Sequence, residues 1–545
     1  MNTFYIINLN SFSVRVELYM GFQISKPLTP MWNELVDRTV SSHGSDMDGT
    51  KRKSVTISEK IEDTPKQDED KLIQAIGEFG RWHVMLTMTL SAPIRMTAVW
   101  NHLGIIFLAP KTEFICAERR NNNETIQESE CYSDCTEYEY KTDFVNTIIS
   151  EWDLVCDRSW LTNFNQTACM SGVLLGSIVF GFFADRFGRR PALLTACTTQ
   201  LIAGFTAPFC PNYITFTLVR FFNGAAVAGA LLTSFILMIE TTGISKRELM
   251  NCIVSVPLSV GEMIMPMFSY YLRSWTRYSF GLALPNLVFL VLFFIVPESP
   301  KWLISVGRLE EASLIMTKIA KWNRLPTEDM MDRVKIIAFE SNVDAHKNVK
   351  ATYLDLIKVQ EIRWKNIGCC LTWFILGLSF YGSNQYIGQT SPNVFVAIAM
   401  AGAIQIPGIL LSGYLCKRFG RRHTLIFLFI LCGISNALLS VPDDWYYFKL
   451  FIGSTAVSSA SGAFATVYMF TTELFPTVAR NMAMGASSTV SRIGSMLAPF
   501  IAGLTATGPW IPPTVFGLVP FAAAVACFCL PETRGKKLKD HFGET

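Results

Sequence analysis

The sequence predicts an all-α membrane protein made of two similar six-helix halves, and three observations support this prediction. Half of the 545 residues are apolar and only 17% are charged, against about 25% in ordinary soluble domains. Twelve segments are apolar enough to cross a bilayer, which takes about 20 mostly apolar residues. Motifs of the first half recur in the same order in the second. Lipid is therefore part of this protein's solvent, and a soluble multidomain enzyme is disfavoured.

The predicted spans divide the chain into five regions. Spans 1 to 12 cover residues 83–108, 167–183, 191–210, 213–239, 250–272, 280–296, 367–386, 393–416, 424–439, 449–471, 482–507 and 512–530. The N-terminal segment, 1–81, is polar and is expected to be cytosolic and largely disordered. The first bundle, 82–296, includes a loop at 109–160, and the second bundle is 366–530. The stretch 297–365 is expected to form short helices in a cytosolic loop, and 531–545 is a cytosolic tail.

Charged loops predict the orientation, because cytosolic loops carry an excess of Lys and Arg. The basic residues that follow spans 2, 4, 8 and 12 are Arg186, Arg189, Arg190, Lys246, Arg247, Lys417, Arg418, Arg421, Arg422, Arg534, Lys536 and Lys537. These loops are assigned to the cytosol, which places both termini there. We expect a multi-pass protein of the plasma membrane.

The acidic loop 109–160 is assigned to the exterior. It contains four cysteines, Cys116, Cys131, Cys135 and Cys156, and an Asn-Glu-Thr glycosylation sequon at Asn123. Disulfides persist in an oxidising exterior, so we expect two of them, with three pairings possible. The competing interpretation is four free thiols in a cytosolic loop.

An internal repeat relates the two halves. GFFADRFGRR begins at Gly181 and GYLCKRFGRR at Gly413, 232 positions later. Glu240 recurs as Glu473 after 233 positions, and Pro297-Glu298-Ser299 recurs as Pro531-Glu532-Thr533 after 234. Repeated bundles of this kind place a binding site near the middle of the membrane, reached alternately from either side. The repeat therefore predicts a carrier.

The motifs themselves resemble a known family. GFFADRFGRR, RFFNGAAVAG from Arg220, PESPKWL from Pro297 and PETRG from Pro531 look like signatures of the major facilitator superfamily, shared by its sugar-porter and organic-ion branches. IGEFGRW from Ile76, SEWDLVCD from Ser150, ELFPTVARN from Glu473 and STVSRIGSMLAP from Ser488 are similar to the organic cation/anion/zwitterion transporter family of solute carriers. The resemblance begins near Lys71 and implies the major facilitator fold and transport of small organic ions by alternating access. Sugar porters lack so large a cysteine-bearing first loop, so that branch ranks second.

The resemblance also implies a cytosolic latch, a set of charged residues that holds the cytosolic ends of the halves together. Its predicted members are Asp185, Arg186, Arg189, Arg190, Glu240, Arg247, Glu298, Glu473, Arg480 and Glu532. The alternative is that the arginines only follow the positive-inside bias. The second copy has Lys417 where the first has Asp185, so the two sides of the latch cannot be equivalent.

Ionisable residues within spans indicate the kind of solute, because each costs about 2.5–3.5 kcal/mol to insert at the membrane centre. Arg492, in span 11, occupies a motif position where carriers of anions or carnitine-like zwitterions have Arg and cation carriers have Asp. Its guanidinium can bind a carboxylate bidentately, or it can be a structural partner of a neighbouring helix. Gln405 lies where family members often carry an acid. Both residues favour a solute that bears a carboxylate.

Four further side chains are candidates for the binding site. Arg95 of span 1 follows Pro93, which suggests a locally loosened helix. Arg95 could form an ion pair with Glu262 of span 5, or Glu262 could accept an ammonium group. Tyr381 and Trp373 of span 7 could hold an ammonium by cation–π attraction, although packing is the simpler role.

Several function classes lack their motifs. There is no phosphate-binding GxxxxGK[ST] loop, no HExxH and no CxxC pair, so we expect no cofactor, no metal and no enzymatic activity. The net charge of +3 does not suggest a nucleic-acid partner. The expected partners are a small organic ion, the lipid bilayer and an unknown coupling ion. The rival functions are a purely organic-cation carrier, a sugar-porter-type carrier and a non-transporting membrane receptor.

Overall fold

A computed structural model describes residues 71–119, 131–132, 135–243, 246–347, 355–440 and 445–535. Within these ranges the regular elements are helices apart from one antiparallel hairpin, β1 (Glu113–Arg119) and β2 (Cys135–Lys141), in the loop after span 1. The predicted all-α architecture is confirmed. Residues 1–70 of the segment 1–81, which is predicted to be largely disordered, lie outside the described residues, as does the sequon at Asn123, whereas Lys71–Ile76 of that segment is helical.

Each predicted span is helical. Span 1 consists of Arg81–Leu86, Thr87–Ser91, Ala92–Leu103 and Ile105–Leu108, and span 6 of Trp275–Ala283, Leu284–Val288 and Phe289–Ile295. The others are Trp160–Phe187, Arg189–Thr206, Tyr213–Thr241, Arg247–Tyr271, Gln360–Thr390, Val394–Phe419, Arg421–Ala437, Tyr446–Leu474, Thr477–Gly503 and Ile511–Cys529. Among the described residues, ten helices are long and apolar enough to cross a membrane; spans 1 and 11 are the two predicted spans outside this set. Both carry an arginine and several other polar side chains in mid-span.

Span 1 is irregular where the sequence predicts loosening. Thr87–Ser91 forms a π-helical turn directly before Pro93. Proline has no backbone N–H, so it cannot donate to the carbonyl of the preceding turn, and π-turns of this kind often occur at functional sites. The irregular turn lies just before Arg95.

The two halves pack together through two pairs of spans. Within the first half span 2 packs on span 4 and span 5 on span 1; within the second half span 7 packs on span 11, span 8 on span 10 and span 9 on span 12. Between the halves, span 5 lies against span 8 and span 2 against span 11. The hydroxyl of Thr167 in span 2 donates to the carbonyl of Met496 in span 11, at 2.9 Å.

The exterior ends of the halves are also joined, by aromatic side chains. Phe107 of span 1 stacks on Phe395 of span 8 with ring centroids 5.7 Å apart. Tyr270 contacts the same ring, and the Arg273 guanidinium lies 5.0 Å from its centroid. These contacts close the space between the halves on the exterior side.

Short helices precede span 1 and connect span 6 to span 7. They are Lys71–Ile76 before span 1 and Pro300–Ser305, Leu309–Asn323, Met330–Lys347 and Asp355–Lys358 between the halves. Asn323 connects the two groups, because its side chain donates to the carbonyl of Ile76 at 2.7 Å and accepts from the N–H of Trp82 at 3.0 Å. The loop helices are therefore fixed to the start of span 1.

The exterior loop contains two disulfides, Cys116–Cys135 and Cys131–Cys156. The first joins the two strands of the hairpin, and the second ties the hairpin to the start of span 2. The helix Ile148–Trp152 in the same loop places the Trp152 ring against Phe216 and Trp275, with centroids 5.3 and 5.2 Å apart. The loop is thus anchored on the first half.

Proteolysis of the unreduced protein should release one peptide pair that links Cys116 to Cys135 and another that links Cys131 to Cys156, because these sulfurs are bonded in the structure. Mass spectrometry before and after reduction is the measurement. A peptide that joins Cys116 to Cys131 or Cys156 would contradict the pairing. The buried Cys169 serves as a control and should remain unpaired.

Candidate functional site

A chain of polar side chains connects the halves at mid-membrane. Arg492 of span 11 donates to the hydroxyl of Tyr381 in span 7, at 3.5 Å. That hydroxyl lies 3.3 Å from Nδ1 of His102 in span 1. Because the tyrosine oxygen accepts from the guanidinium, its own hydrogen is free to be donated to the imidazole. Arg492 and Tyr381, both predicted site residues, are therefore brought together, and His102 extends their contact to the other half.

A second arginine, which the sequence analysis left unassigned, is buried in the first half. Arg220 of span 4 donates to the carbonyl of Asn101 and to the side chain of Gln166, both at 2.8 Å. It also reaches the Asn165 side chain at 3.4 Å. Among the described residues Arg220 has no carboxylate partner. The signal available in the sequence was a set of amides: Asn101 and Asn223 lie inside predicted spans 1 and 4, where such side chains are rare, and Asn165 and Gln166 lie just before predicted span 2.

Arg95 lies apart from Arg492 and Arg220, also between the halves. Its Nε donates to Ser91 at 3.2 Å, and its guanidinium lies 5.9 Å from the ring centroid of Phe235 in span 4. The Phe235 ring in turn lies 6.5 Å from that of Tyr468 in span 10. The alternative ion pair between Arg95 and Glu262 is not formed.

Glu262 is bonded to Gln405 instead. Its Oε2 accepts from Nε2 of Gln405 at 2.7 Å, across the contact between spans 5 and 8. The Gln405 oxygen accepts from Ser461 of span 10 at 2.8 Å. The acid that the family resemblance leads one to expect at position 405 is therefore supplied by the neighbouring span.

Trp373 lies inside the second half. It is 1% exposed, and its indole N–H donates to the hydroxyl of Thr471 at 2.9 Å. The Tyr468 ring packs against it with centroids 4.6 Å apart. In this conformation Trp373 is a packing residue beside the space between the halves.

The spans carry more positive than negative charge in their middle sections. Arg95, Arg220 and Arg492 lie at least seven residues inside their spans, whereas Glu262 is the one acid so placed among the described residues. Since Glu262 pairs with an amide and with no cation, its charge does not balance any of these arginines. The middle of the protein therefore offers charge-assisted donors to an anionic group.

The charged residues of the GFFADRFGRR motif form a compact cluster with neighbouring span ends in the first half. Arg189 pairs with Glu240 at 2.9 Å and with Asp185 at 3.2 Å. Glu298 accepts from the backbone N–H of Arg189 at 2.8 Å, and Ser299 donates to Glu240. The cluster thus joins the start of span 3 to the ends of spans 2, 4 and 6.

The second half repeats this arrangement. Arg421 pairs with Glu473 at 2.9 Å, and Thr533 donates to Glu473 at 2.7 Å. Glu532 accepts from the backbone N–H of Arg421 at 3.0 Å, as Glu298 does in the first half. Burial acts to raise the pKa of Glu532, but backbone N–H donors, first that of Arg534, offset this and hold its pKa below the usual range.

A glycine permits the same geometry in both halves. Gly188 and Gly420 have φ of +107° and +94°, which side chains rarely adopt. A Cβ at Gly420 would lie 2.7 Å from a carboxylate oxygen of Glu532. The repeat predicted from sequence is therefore present down to its turn geometry. Asp185 has no counterpart, because Lys417 stands in its place, and the predicted inequivalence of the two sides is visible.

The described ion pairs of the predicted latch lie within each half rather than between the halves. Arg186 and Arg190 are exposed, and the backbone N–H of Arg190 donates to Glu298 at 3.1 Å. Arg480 is partly buried at the start of span 11, and the side chain of Arg247 lies outside the described residues. In this conformation the clusters hold each half together, and bridging between the halves remains a proposal.

Comparison with known proteins agrees with this architecture. Residues 121–541 match the family described as sugar (and other) transporter. The chain belongs to this family. It is therefore a multi-pass membrane transporter of small molecules and not an enzyme.

Curated relatives place the chain more closely. It is 31% identical to an "Organic cation transporter protein" of Drosophila melanogaster over 86% of this chain and 93% of that protein. It is 32% identical to "Solute carrier family 22 member 16" of Xenopus laevis, over 73% and 71% of the two chains. It is 30% identical to the human "Organic cation/carnitine transporter 2", over 74% and 72%. The resemblance to the organic cation/anion/zwitterion transporter family is confirmed.

Solved structures show the same fold. The inward-open xylose transporter XylE from E. coli superimposes with a TM-score of 0.60 at 17% identity, over 84% of this chain and 97% of that one. The proton:xylose symporter XylE bound to 6-bromo-6-deoxy-D-glucose gives a TM-score of 0.55 at 18% identity, over 86% and 98%. The major facilitator fold is thereby confirmed.

Substitution of Glu240 by Gln should destabilise the first half, because it leaves the largely buried guanidinium of Arg189 without its main carboxylate. The expected loss is about 1–3 kcal/mol, measured by thermal unfolding of the purified protein in detergent. The double variant Arg189→Gln, Glu240→Gln should lose less than the sum of the two single variants. The exposed Glu328→Gln is the matched control, and additive losses would contradict the pairing.

Proposed function

We propose that this protein moves small organic ions that bear a carboxylate, as anions or zwitterions, across the plasma membrane by alternating access. The single observation that carries the proposal is the unbalanced positive charge of Arg95, Arg220 and Arg492 in the middle of the spans. Three mid-span cations without carboxylate partners are costly in lipid unless a bound anion repays part of the cost. The names of the relatives, which refer to organic cations and carnitine, agree with an organic-ion solute.

Arg492 is the proposed main contact of the carboxylate. Its side chain is partly exposed and its only described hydrogen-bond partner is the neutral hydroxyl of Tyr381, at 3.5 Å. A guanidinium has five N–H donors in a planar fork, so several remain for two carboxylate oxygens. Tyr381 contacts His102 of the opposite half, and a solute bound at Arg492 would therefore lie where both halves can sense it.

The other predicted site residues surround this position in different roles. Arg95, which follows the π-helical turn Thr87–Ser91 of span 1, offers a cation next to the Phe235 ring, and that ring lies near the ring of Tyr468. An ammonium group of a zwitterion would be attracted to such rings by about 0.5–2 kcal/mol. Trp373 shapes the wall from within the second half, and Glu262 with Gln405 lies in the sealed contact between spans 5 and 8.

A purely organic-cation carrier is the strongest rival, because the first relative named above carries that description. It would need Glu262 to face the solute in its ionised form. A sugar-porter-type carrier would leave the three arginines without a function, and a non-transporting receptor would bind solute without accumulating it. The predicted latch enters this proposal as the element that joins the cytosolic ends when the halves rock.

Reconstituted vesicles test the charge of the solute directly. Labelled carnitine, succinate and tetraethylammonium represent a zwitterion, an anion and a cation. The wild type should accumulate carnitine, succinate or both with time, and exclude tetraethylammonium. Accumulation of tetraethylammonium alone would overturn the proposal in favour of a cation carrier, and binding without accumulation would indicate a receptor.

Substitution of Arg492 by Ala should lower kcat/KM for the accumulated carboxylate by about tenfold to a hundredfold, since a hydrogen bond to a charged group contributes about 1.5–3 kcal/mol. Arg492→Lys should recover part of the loss, because it keeps the charge but not the fork. Arg277→Ala, at an exposed arginine of span 6, is the control. Unchanged carboxylate uptake in Arg492→Ala would refute the assigned contact.

A further inference from the structure

Glu262 occupies a site from which water is excluded. The residue is 0% exposed, although it is an acid in mid-span. Two glycines bring the surrounding backbones together. A Cβ at Gly402 of span 8 would lie 2.5 Å from the backbone nitrogen of Met263, and a Cβ at Gly261 would lie 2.8 Å from Cα of Met96 in span 1. Spans 1, 5 and 8 therefore close around this carboxyl group, at a contact between the two halves.

The hydrogen bonds of Glu262 are incomplete. Oε2 accepts from Gln405 at 2.7 Å, and Oε1 has no partner among the described residues. An ionised carboxylate normally accepts several hydrogen bonds, and burying one with a single neutral donor is very costly. The neutral carboxylic acid is the form that this environment favours.

No neighbouring cation changes this conclusion. The ionisable groups on the spans packed against span 5 are Arg81, His83, Arg95 and His102 of span 1, Arg277 and Tyr278 of span 6, Tyr414, Cys416, Lys417 and Arg418 of span 8, and Tyr446, Tyr447, Lys449, Tyr468 and Glu473 of span 10. Arg95 bonds to Ser91 and lies over Phe235, and His102 bonds to Tyr381. Among the described residues no member of this set makes an ion pair with Glu262.

The neighbours of Glu262 can serve both protonation states. The amide group of Gln405 donates to a carboxylate, and after a half-turn of the amide its carbonyl oxygen accepts from a carboxylic acid. The distance of 2.7 Å suits an O–H···O bond as well as an N–H···O bond. The hydroxyls of Ser461 and Ser259 lie 2.8 and 3.5 Å from Oε1 of Gln405. Each hydroxyl can donate or accept, so both can still bond to the amide after it rotates.

We propose that Glu262 is a proton-binding site that couples proton movement to solute transport. The inference rests on the proposed function and adds the coupling ion to it. When the halves separate on the exterior side, the carboxylate takes one proton from exterior water and becomes a carboxylic acid. The closed contact between spans 5 and 8 accepts this neutral form. When the cytosolic side opens, the acid gives the proton to water there, and one proton has crossed with each solute.

The charge moved per cycle follows from this balance. Carnitine carries no net charge at neutral pH, so its transport with one proton moves one positive charge inward. Succinate carries two negative charges, so its transport with one proton moves one net negative charge inward. Removal of the proton site changes each value by one charge. Potential and pH dependence therefore measure the coupling separately from solute binding.

The test uses wild-type and variant proteins in vesicles with labelled carnitine and labelled succinate. A gradient of one pH unit, acid outside, is tenfold in proton activity and should raise the accumulation of the transported solute by up to about tenfold in the wild type. Glu262→Gln should lose this stimulation. Its counterflow, in which labelled solute exchanges for unlabelled solute with no net proton movement, should fall much less. Glu262→Asp should keep the pH dependence, and the exposed Glu113→Gln should behave as the wild type.

A pH indicator trapped inside the vesicles keeps the proposal testable if Glu262→Gln does not fold. Addition of solute to wild-type vesicles should acidify the interior, in proportion to the label taken up. Solute uptake that neither responds to the pH gradient nor acidifies the interior would overturn the proton site and leave the proposed function intact. Stimulation by the gradient that persists in Glu262→Gln would also overturn it. Failure to accumulate either carboxylate would instead count against the proposed function.

Discussion

The constraint that governs this protein is the lack of water inside the bilayer. A polar group in a span must find its hydrogen bonds on neighbouring helices, because lipid supplies none. Arg220 of span 4 meets this need by donating to the backbone carbonyl of Asn101 in span 1 and to the side-chain oxygen of Gln166 in span 2. Arg492 meets it through Tyr381, which itself reaches His102 in the opposite half. These mid-span arginines thus help to hold the helices in register.

Both halves have the same cluster of charges where the chain turns between two spans. Each half turns sharply between two spans, and the exposed N–H groups at the start of the next helix need acceptors. Glu298 and Glu532 supply the acceptors, and Arg189 and Arg421 tie the same turns to Glu240 and Glu473. Since both clusters close within a half, each half behaves as a unit whose cytosolic end is internally braced. Movement between the halves then need not break these bonds.

Much of the fold was predictable from sequence, because it depends on local composition. Apolar segments of sufficient length, the repeat around Gly181 and Gly413, and the cysteine-bearing loop are all visible along the chain. The pairing of Cys116 with Cys135 was not, since spacing alone allows three connectivities.

The site was predictable only in part. Arg492 and Tyr381 were identified from motif position and residue type, and they lie together. The partner of Glu262 was not predictable, because Gln405 is 143 residues away and becomes its neighbour only when spans 5 and 8 meet. The network of Arg220 was missed for the same reason. The latch residues are expected at the cytosolic ends of the spans, and sequence cannot tell whether an acid pairs within its own half or across to the other.

The Cys131–Cys156 bond has a mechanical consequence. It fastens the hairpin to the first residues before span 2, and Trp152 presses the same loop onto spans 4 and 6. The exterior loop is therefore attached to the first half, and it must move together with that half. Phe144 of this loop lies 5.7 Å from the Phe395 ring. Phe144 and Phe107 belong to the first half, whereas Phe395 belongs to the second. Separation of the halves at this end would break the contacts of the Phe395 ring with Phe107, Phe144 and Tyr270 of the first half.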